Sequence, residues 1–99
     1  MKYIKKKFFV ENISLNKLAK RFDTPLYCYS YKKMKENINN FKSSFKSFSP
    51  LLCYAVKANS NLQLIKEIKK LGMGADVVSK GELMKALKSG IQPKKIVFS

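Results

Sequence analysis

Histidine is absent from the 99 residues, so serine–histidine triads, imidazole general bases and histidine-ligated metals have no place within this chain. Acidic side chains are scarce: six stand against 21 basic ones, for a formal charge of +15. Arginine is nearly missing too, since Arg21 is the sole exception to lysine among the basic residues. Specific recognition of nucleic acid favours arginine forks and basic residues clustered on one face. Here the lysines run through every segment, so no nucleic-acid partner is expected and the excess reads as solvated faces. The four glycines, Gly72, Gly74, Gly81 and Gly90, lack the spacing of a phosphate-binding fingerprint. Cys28 and Cys53 have no metal-ligand spacing and sit in apolar, strand-like stretches, where reduced and buried packing residues are expected. No long apolar run exists. The basic opening Met1–Lys7 is followed only by Phe8, Phe9 and Val10 before Glu11, too short for a secretory core or a membrane span. A cytoplasmic protein without a membrane partner is expected.

What the chain does contain is periodicity, with 45% hydrophobic residues, enough for one small domain. Residues 1–10 read as a strand or lead-in. Leu15, Leu18 and Phe22 recur at helical spacing behind Ser14 as N-cap. Asp23-Thr24-Pro25 breaks that helix, because a residue before proline is pushed out of the helical region. Leu26–Tyr29 is then a short strand. Ser30 caps a helix over 31–48, whose Tyr31, Met34, Ile38, Phe41, Phe45 and Phe48 form one apolar stripe expected to face a core. Ser49-Pro50 ends it.

From there a unit repeats. The run LLCYAVKAN, Leu51–Asn59, is a strand ending in Lys57, with Leu51, Cys53, Ala55 and Lys57 sharing one face. Asn59, Ser60 and Asn61 offer N-caps, Leu64, Ile65, Ile68 and Leu71 a buried face, and Gly72 a stop. Gly74–Val78 is a second strand. Ser79 and Glu82 form a capping box, Leu83, Met84, Ala86 and Leu87 the next helix face, and Gly90 another stop. Lys95–Phe98 is a third strand. Alternating strands and helices with short links predict an α/β fold of parallel strands. Either an open doubly wound sheet or the start of a (β/α)8 barrel fits.

Chemistry concentrates at Lys57. As a lysine at a strand end it either extends into water or, desolvated, serves as an amine nucleophile for a Schiff base. Ala55 on the same face leaves room for a ligand. Asp76 lies on the second strand, where a carboxylate needs a partner. If the two strands are neighbours, it shares an interior with Lys57. Glu82 is first a capping residue and second a weak candidate for the same site.

The segment Tyr54–Asn59, YAVKAN, resembles the pyridoxal-phosphate attachment signature of the fold-type III decarboxylases. Within that group GADVVSKGELMKAL, at residues 74–87, is most similar to the diaminopimelate decarboxylases. ISLNKLAKRFDTPLYCYS, the helix at 31–48 and PKKIVFS resemble the same family, so the likeness covers the chain from about Phe9 onward. The resemblance implies pyridoxal 5'-phosphate as cofactor, Lys57 as its covalent Schiff-base lysine, Asp76 near that lysine, and Glu82 as a further acidic neighbour. It implies a lyase of amino-acid biosynthesis that converts meso-2,6-diaminopimelate to L-lysine and carbon dioxide, acting as a homodimer. It also implies a division at residue 30: a lead-in strand and helix over 1–30, then the first three strands of a (β/α)8 barrel over 31–99.

A whole barrel takes about 250 residues, so the chain is expected to be an N-terminal fragment, inactive alone unless a complementing C-terminal chain supplies the rest. Two alternatives carry different expectations. Another member of the group would act on ornithine, arginine or carboxynorspermidine. A non-catalytic basic interaction fragment would bind polyanions with a steep salt dependence.

Overall fold

The computed structural model describes residues 1–45 and 47–99 and divides into two compact units, Met1–Asn37 and Ile38–Ser99. No helix among the described residues is long and apolar enough to cross a membrane.

The first unit opens on a meander where the sequence reads as a strand or a lead-in. β1 (Lys2–Ile4), β2 (Lys7–Val10) and β3 (Ile13–Ser14) pair antiparallel, with Tyr3 opposite Phe8 and Phe9 opposite Ser14. Both hairpin loops are two residues long and left-handed: Lys5 and Lys6 at φ 48° and 65°, Glu11 and Asn12 at φ 58° and 144°. Such turns match the twist of paired strands but usually recruit asparagine or glycine. Helix α1 (Leu15–Phe22) starts after Ser14 as expected, yet the Ser14 hydroxyl makes no capping bond. Only Val10 and Ser14 are buried in this unit.

Leu26–Tyr29 forms no strand, contrary to the sequence pattern. A strand exists through a hydrogen-bonded neighbour, and this stretch has none; Tyr27 is 92% exposed. Helix α2 (Tyr31–Ser43) begins where predicted, with Ser30 Oγ accepting from the Lys33 amide at 3.1 Å. It stops five residues short of Phe48. The hydroxyls of Ser43 and Ser44 both donate to the Asn40 carbonyl, at 2.9 and 3.1 Å, and compete with the helical ladder. The amides of Ser44 and Phe45 fall back to tighter bonds three residues behind. Lys46, within the predicted helix, lies outside the described residues. The apolar stripe is not a core face either, since α2 has no buried residue. Its aromatic end packs on itself instead: Phe41 and Phe45 meet at 5.4 Å and Phe45 and Phe48 at 6.1 Å.

The second unit is the α/β repeat that the pattern predicts. Strands β4 (Cys53–Ala55), β5 (Gly74–Val77) and β6 (Ile96–Phe98) lie parallel in that order, with Ala55, Asp76 and Val97 side by side. Helices α3 (Leu62–Lys70) and α4 (Lys80–Lys88) connect them. Asn61 caps α3 by accepting from the Gln63 and Leu64 amides, and Gly72 and Gly90 end the helices at φ 84° and 95°. One face of the sheet is sealed: Val56, Ile65, Ala75, Val77, Ala86 and Ile91 form the core, with Tyr54, Leu83 and Ile96 packed against it. Met84 and Leu87, expected on the buried face of α4, are exposed. Gly74 is required by packing, because a Cβ there would stand 2.1 Å from the Lys95 carbonyl oxygen.

Candidate functional site

Strand alternation puts Ala75 and Val77 in the core, which sends Asp76 to the opposite face. Cys53, Ala55, Gly74, Asp76 and Val97 share that second face by register. Gly74 apart, none of them is buried.

Lys57 stands two residues beyond β4. The expected strand does not run through to it: Val56–Ala58 forms a 3-10 turn, closed by the Asn59 amide on the Val56 carbonyl at 3.2 Å. Val56 is fully buried in the core and pins the turn from below. The Tyr54 hydroxyl donates to the Asn59 carbonyl at 2.8 Å and ties the strand to the loop past the lysine. Between these anchors Lys57 is exposed, and its amine makes no hydrogen bond or ion pair among the described residues. Its backbone is fixed while its side chain is free.

Asp76 lies level with Ala55 by strand register and is half-buried. Its Oδ1 accepts a hydrogen bond from Ser99 Oγ at 2.6 Å, and the Ser99 amide donates to the Val77 carbonyl at 2.9 Å. Ser99 thus extends the ladder one residue past β6 and holds the carboxylate at the C-terminal edge of the sheet. Sequence reading passed over Ser99, and a serine ending an apolar strand gave no signal of its own. Both cysteines are free, as expected, but half-buried rather than buried. Burial pushes the Cys53 thiol above its ordinary range, and the negative charge of Asp76 raises it further.

Glu82 is not brought to this edge by any contact. Its Oε1 accepts from the Val78 amide at 3.1 Å while Ser79 Oγ accepts from the Glu82 amide at 3.1 Å, so its carboxylate is taken up by the start of α4. No cluster of three or more potential metal ligands occurs among the described residues.

An exposed, unpartnered lysine at the C-terminal edge of a parallel sheet is where α/β folds place chemistry. Residues 31–99 match the family model described as pyridoxal-dependent decarboxylase, pyridoxal binding domain, and the chain belongs to that family. It is similar to the diaminopimelate decarboxylase of Helicobacter pylori, 50% identical over 83% of this chain and 20% of the relative. It is similar as well to that of Aquifex aeolicus, 46% identical over the whole chain and 23% of the relative. A crystal structure of diaminopimelate decarboxylase from M. jannaschii in complex with L-lysine superimposes with a TM-score of 0.88. That likeness has 42% identity and covers 93% of this chain and 23% of the other. The chain therefore spans between a fifth and a quarter of the length of these relatives.

Proposed function

We propose that this chain is the N-terminal, pyridoxal-phosphate-bearing part of a diaminopimelate decarboxylase, with Lys57 as the residue that holds the cofactor covalently. The observation that carries the reading is the free amine of Lys57 on an anchored turn at the open edge of the parallel sheet. An aldehyde cofactor needs such an amine, deprotonated at the moment of attack and unblocked by a carboxylate partner. The donor set fits. When bound, pyridoxal phosphate supplies an electron sink for the charge left on the substrate carbon as carbon dioxide departs.

This chain's residues do the positioning. Val56 and Tyr54 fix the Lys57 backbone, and the small side chain of Ala55 leaves room on the sheet face beside it. Asp76, oriented by Ser99, places a carboxylate on that face to steady a positive charge near the lysine. Glu82 contributes less, because its carboxylate already caps α4. Lys57 also holds and returns a proton once its amine is released by substrate.

Residues 31–99 are, in this reading, the first three strands of a (β/α)8 barrel, preceded by a lead-in over 1–30. The start of the family match at residue 31 and the parallel order of β4, β5 and β6 support that division. Substrate is meso-2,6-diaminopimelate, the product L-lysine; the relatives' names and the lysine bound to one of them support this. Catalysis is proposed for the homodimer or for an assembly with a complementing chain, since the relatives are four to five times longer.

The test is covalent trapping. The 99-residue chain is incubated with pyridoxal phosphate, reduced with borohydride and mapped by peptide mass. One adduct confined to Lys57, lost in Lys57→Arg, is the expected result. Labels scattered over many lysines, or none at all, would overturn the assignment.

A further inference from the structure

A sequence that spreads lysine over every segment raises no expectation of a membrane partner, yet the fold gathers part of that charge. Helices α3 and α4 each carry the chain back from the C-terminal to the N-terminal edge of the parallel sheet. Their last turns bring Lys69, Lys70 and Lys88 to that edge, and Lys94 and Lys95 stand immediately before β6. The Lys42 amine reaches the same place from α2 by donating to the Leu71 carbonyl. The Lys69 stem comes within 3.5 Å of where a Cβ on Gly90 would stand, so the ends of α3 and α4 adjoin. The acidic side chains of residues 38–99 are Glu67, Asp76 and Glu82. Asp76 and Glu82 are held at the opposite edge, by Ser99 and by the start of α4, and Glu67 pairs with Lys70 at 3.2 Å. The amines of Lys69, Lys88, Lys94 and Lys95 have no ion pair among the described residues. Beside these amines lies an apolar patch. Phe45, Phe48, Pro50 and Leu52 line a hollow together with Lys42 and Gly72, and Leu52 and Gly72 stand just ahead of β4 and β5. Phe41 and Phe48 are 57% and 66% exposed, and Phe45 packs against both rings. Cations in a last turn complement a helix end, but that leaves Lys94, Lys95 and three phenyl rings in water unexplained.

We propose that this N-terminal edge of the sheet is a docking surface for an anionic lipid bilayer. The two halves of the surface match the two layers of a leaflet: amines meet the negative headgroups while the phenyl rings enter the boundary of the acyl chains. Lysine suits the task, because its apolar stem lies along the patch while its ammonium group reaches out to a headgroup. A nucleic-acid partner would call for arginine forks or for rings spread as stacking platforms. The one arginine, Arg21, lies outside residues 38–99, and the phenyl rings are packed on one another. Lys57 and Asp76 sit at the opposite edge of the sheet, so docking leaves that site turned away from the bilayer.

The test is co-sedimentation of the full 99-residue chain with vesicles of phosphatidylcholine containing about one-quarter phosphatidylserine. Each lysine at the membrane surface is worth about fivefold in binding, so the triple variant Lys69→Gln, Lys88→Gln and Lys94→Gln should bind about a hundredfold more weakly. A control with the same loss of charge, Lys17→Gln, Lys20→Gln and Lys32→Gln, should lose about threefold at most, because distant charges are screened. Phe41→Ala with Phe48→Ala should weaken binding about tenfold without any change of charge. On the unaltered chain, hydrogen exchange should slow at residues 41–52 when vesicles are added and stay as it was at 53–58. Equal losses in the two lysine triples, no effect of the phenylalanine pair, or tighter binding to polyuridylate than to the vesicles would each overturn the proposal. So would protection that spreads over every segment. None of these variants touches Lys57, so the outcome is independent of trapping by pyridoxal phosphate.

Discussion

The two units differ in how their backbones are punctuated. In Ile38–Ser99 both crossover helices are bounded by residues suited to the turn: Asn61 and Ser79 begin them, and Gly72 and Gly90 follow their ends at positive φ. In Met1–Asn37 the corresponding corners are carried by Lys5-Lys6 and Glu11-Asn12, also at positive φ. A side chain in that region costs about 1 kcal/mol per residue relative to its relaxed conformation. The burial differs likewise, with one buried apolar residue, Val10, in the first unit and a connected core in the second. Local chemistry and global fold agree in the second unit and conflict in the first, and agreement across levels is what makes a fold stable and predictable.

The largest effect should come from the core of the second unit. Ile65→Ala removes a fully buried side chain and should cost about 2–5 kcal/mol in urea unfolding of the chain. The same truncation at exposed Phe41 should change the midpoint far less, and equal losses would break the contrast between core and stripe. Gly74→Ala should cost about 1–3 kcal/mol, because the new methyl group meets the backbone of Lys95 and not a movable side chain.

Caps sharpen the comparison further. Asn61→Ala and Ser79→Ala should each lose about 1 kcal/mol of stability, whereas Ser14→Ala should lose only a few tenths, since its hydroxyl caps nothing. Lys6→Gly should go the other way and stabilise the first hairpin by about 0.5–1 kcal/mol, read by thermal melting.

The smallest effect is one of pH. Burial first, and Asp76 second, disfavour the Cys53 thiolate, so the folded chain holds that proton more tightly than the unfolded chain. The associated stability is whole below the ordinary thiol range and is lost as pH rises through the raised value. Alkylation of Cys53 by iodoacetamide near pH 9 should be slower in the folded chain than in urea, and Asp76→Asn should narrow the gap.

Much of the second unit was legible because its signals are local. Spacing within a helix and a cap three residues before a glutamate need no knowledge of the rest of the chain. The motif at Tyr54–Asn59 marked Lys57 in the same way. What escaped depends on distant partners. The hairpins rest on strand pairing that Lys5 and Lys6 do nothing to advertise. The failure of Leu26–Tyr29 as a strand is the lack of a neighbour, not a fault in its residues. The shortened α2 turns on Ser43 and Ser44 choosing the Asn40 carbonyl, a competition that an apolar stripe conceals. Ser99 became visible only when β6 laid it beside Asp76.

The turn around Lys57 has one more consequence. With Val56 sunk in the core and Tyr54 tied to Asn59, the lysine is a tether: a pivot that does not travel, carrying four flexible methylenes. Its amine sweeps a volume a few ångströms across, so a group held there meets it at an effective concentration no dissolved amine attains. If a cofactor is held there as proposed, exchanging one bound amine for another would be a matter of rotating bonds within arm's reach, because the lysine stays on its anchored backbone.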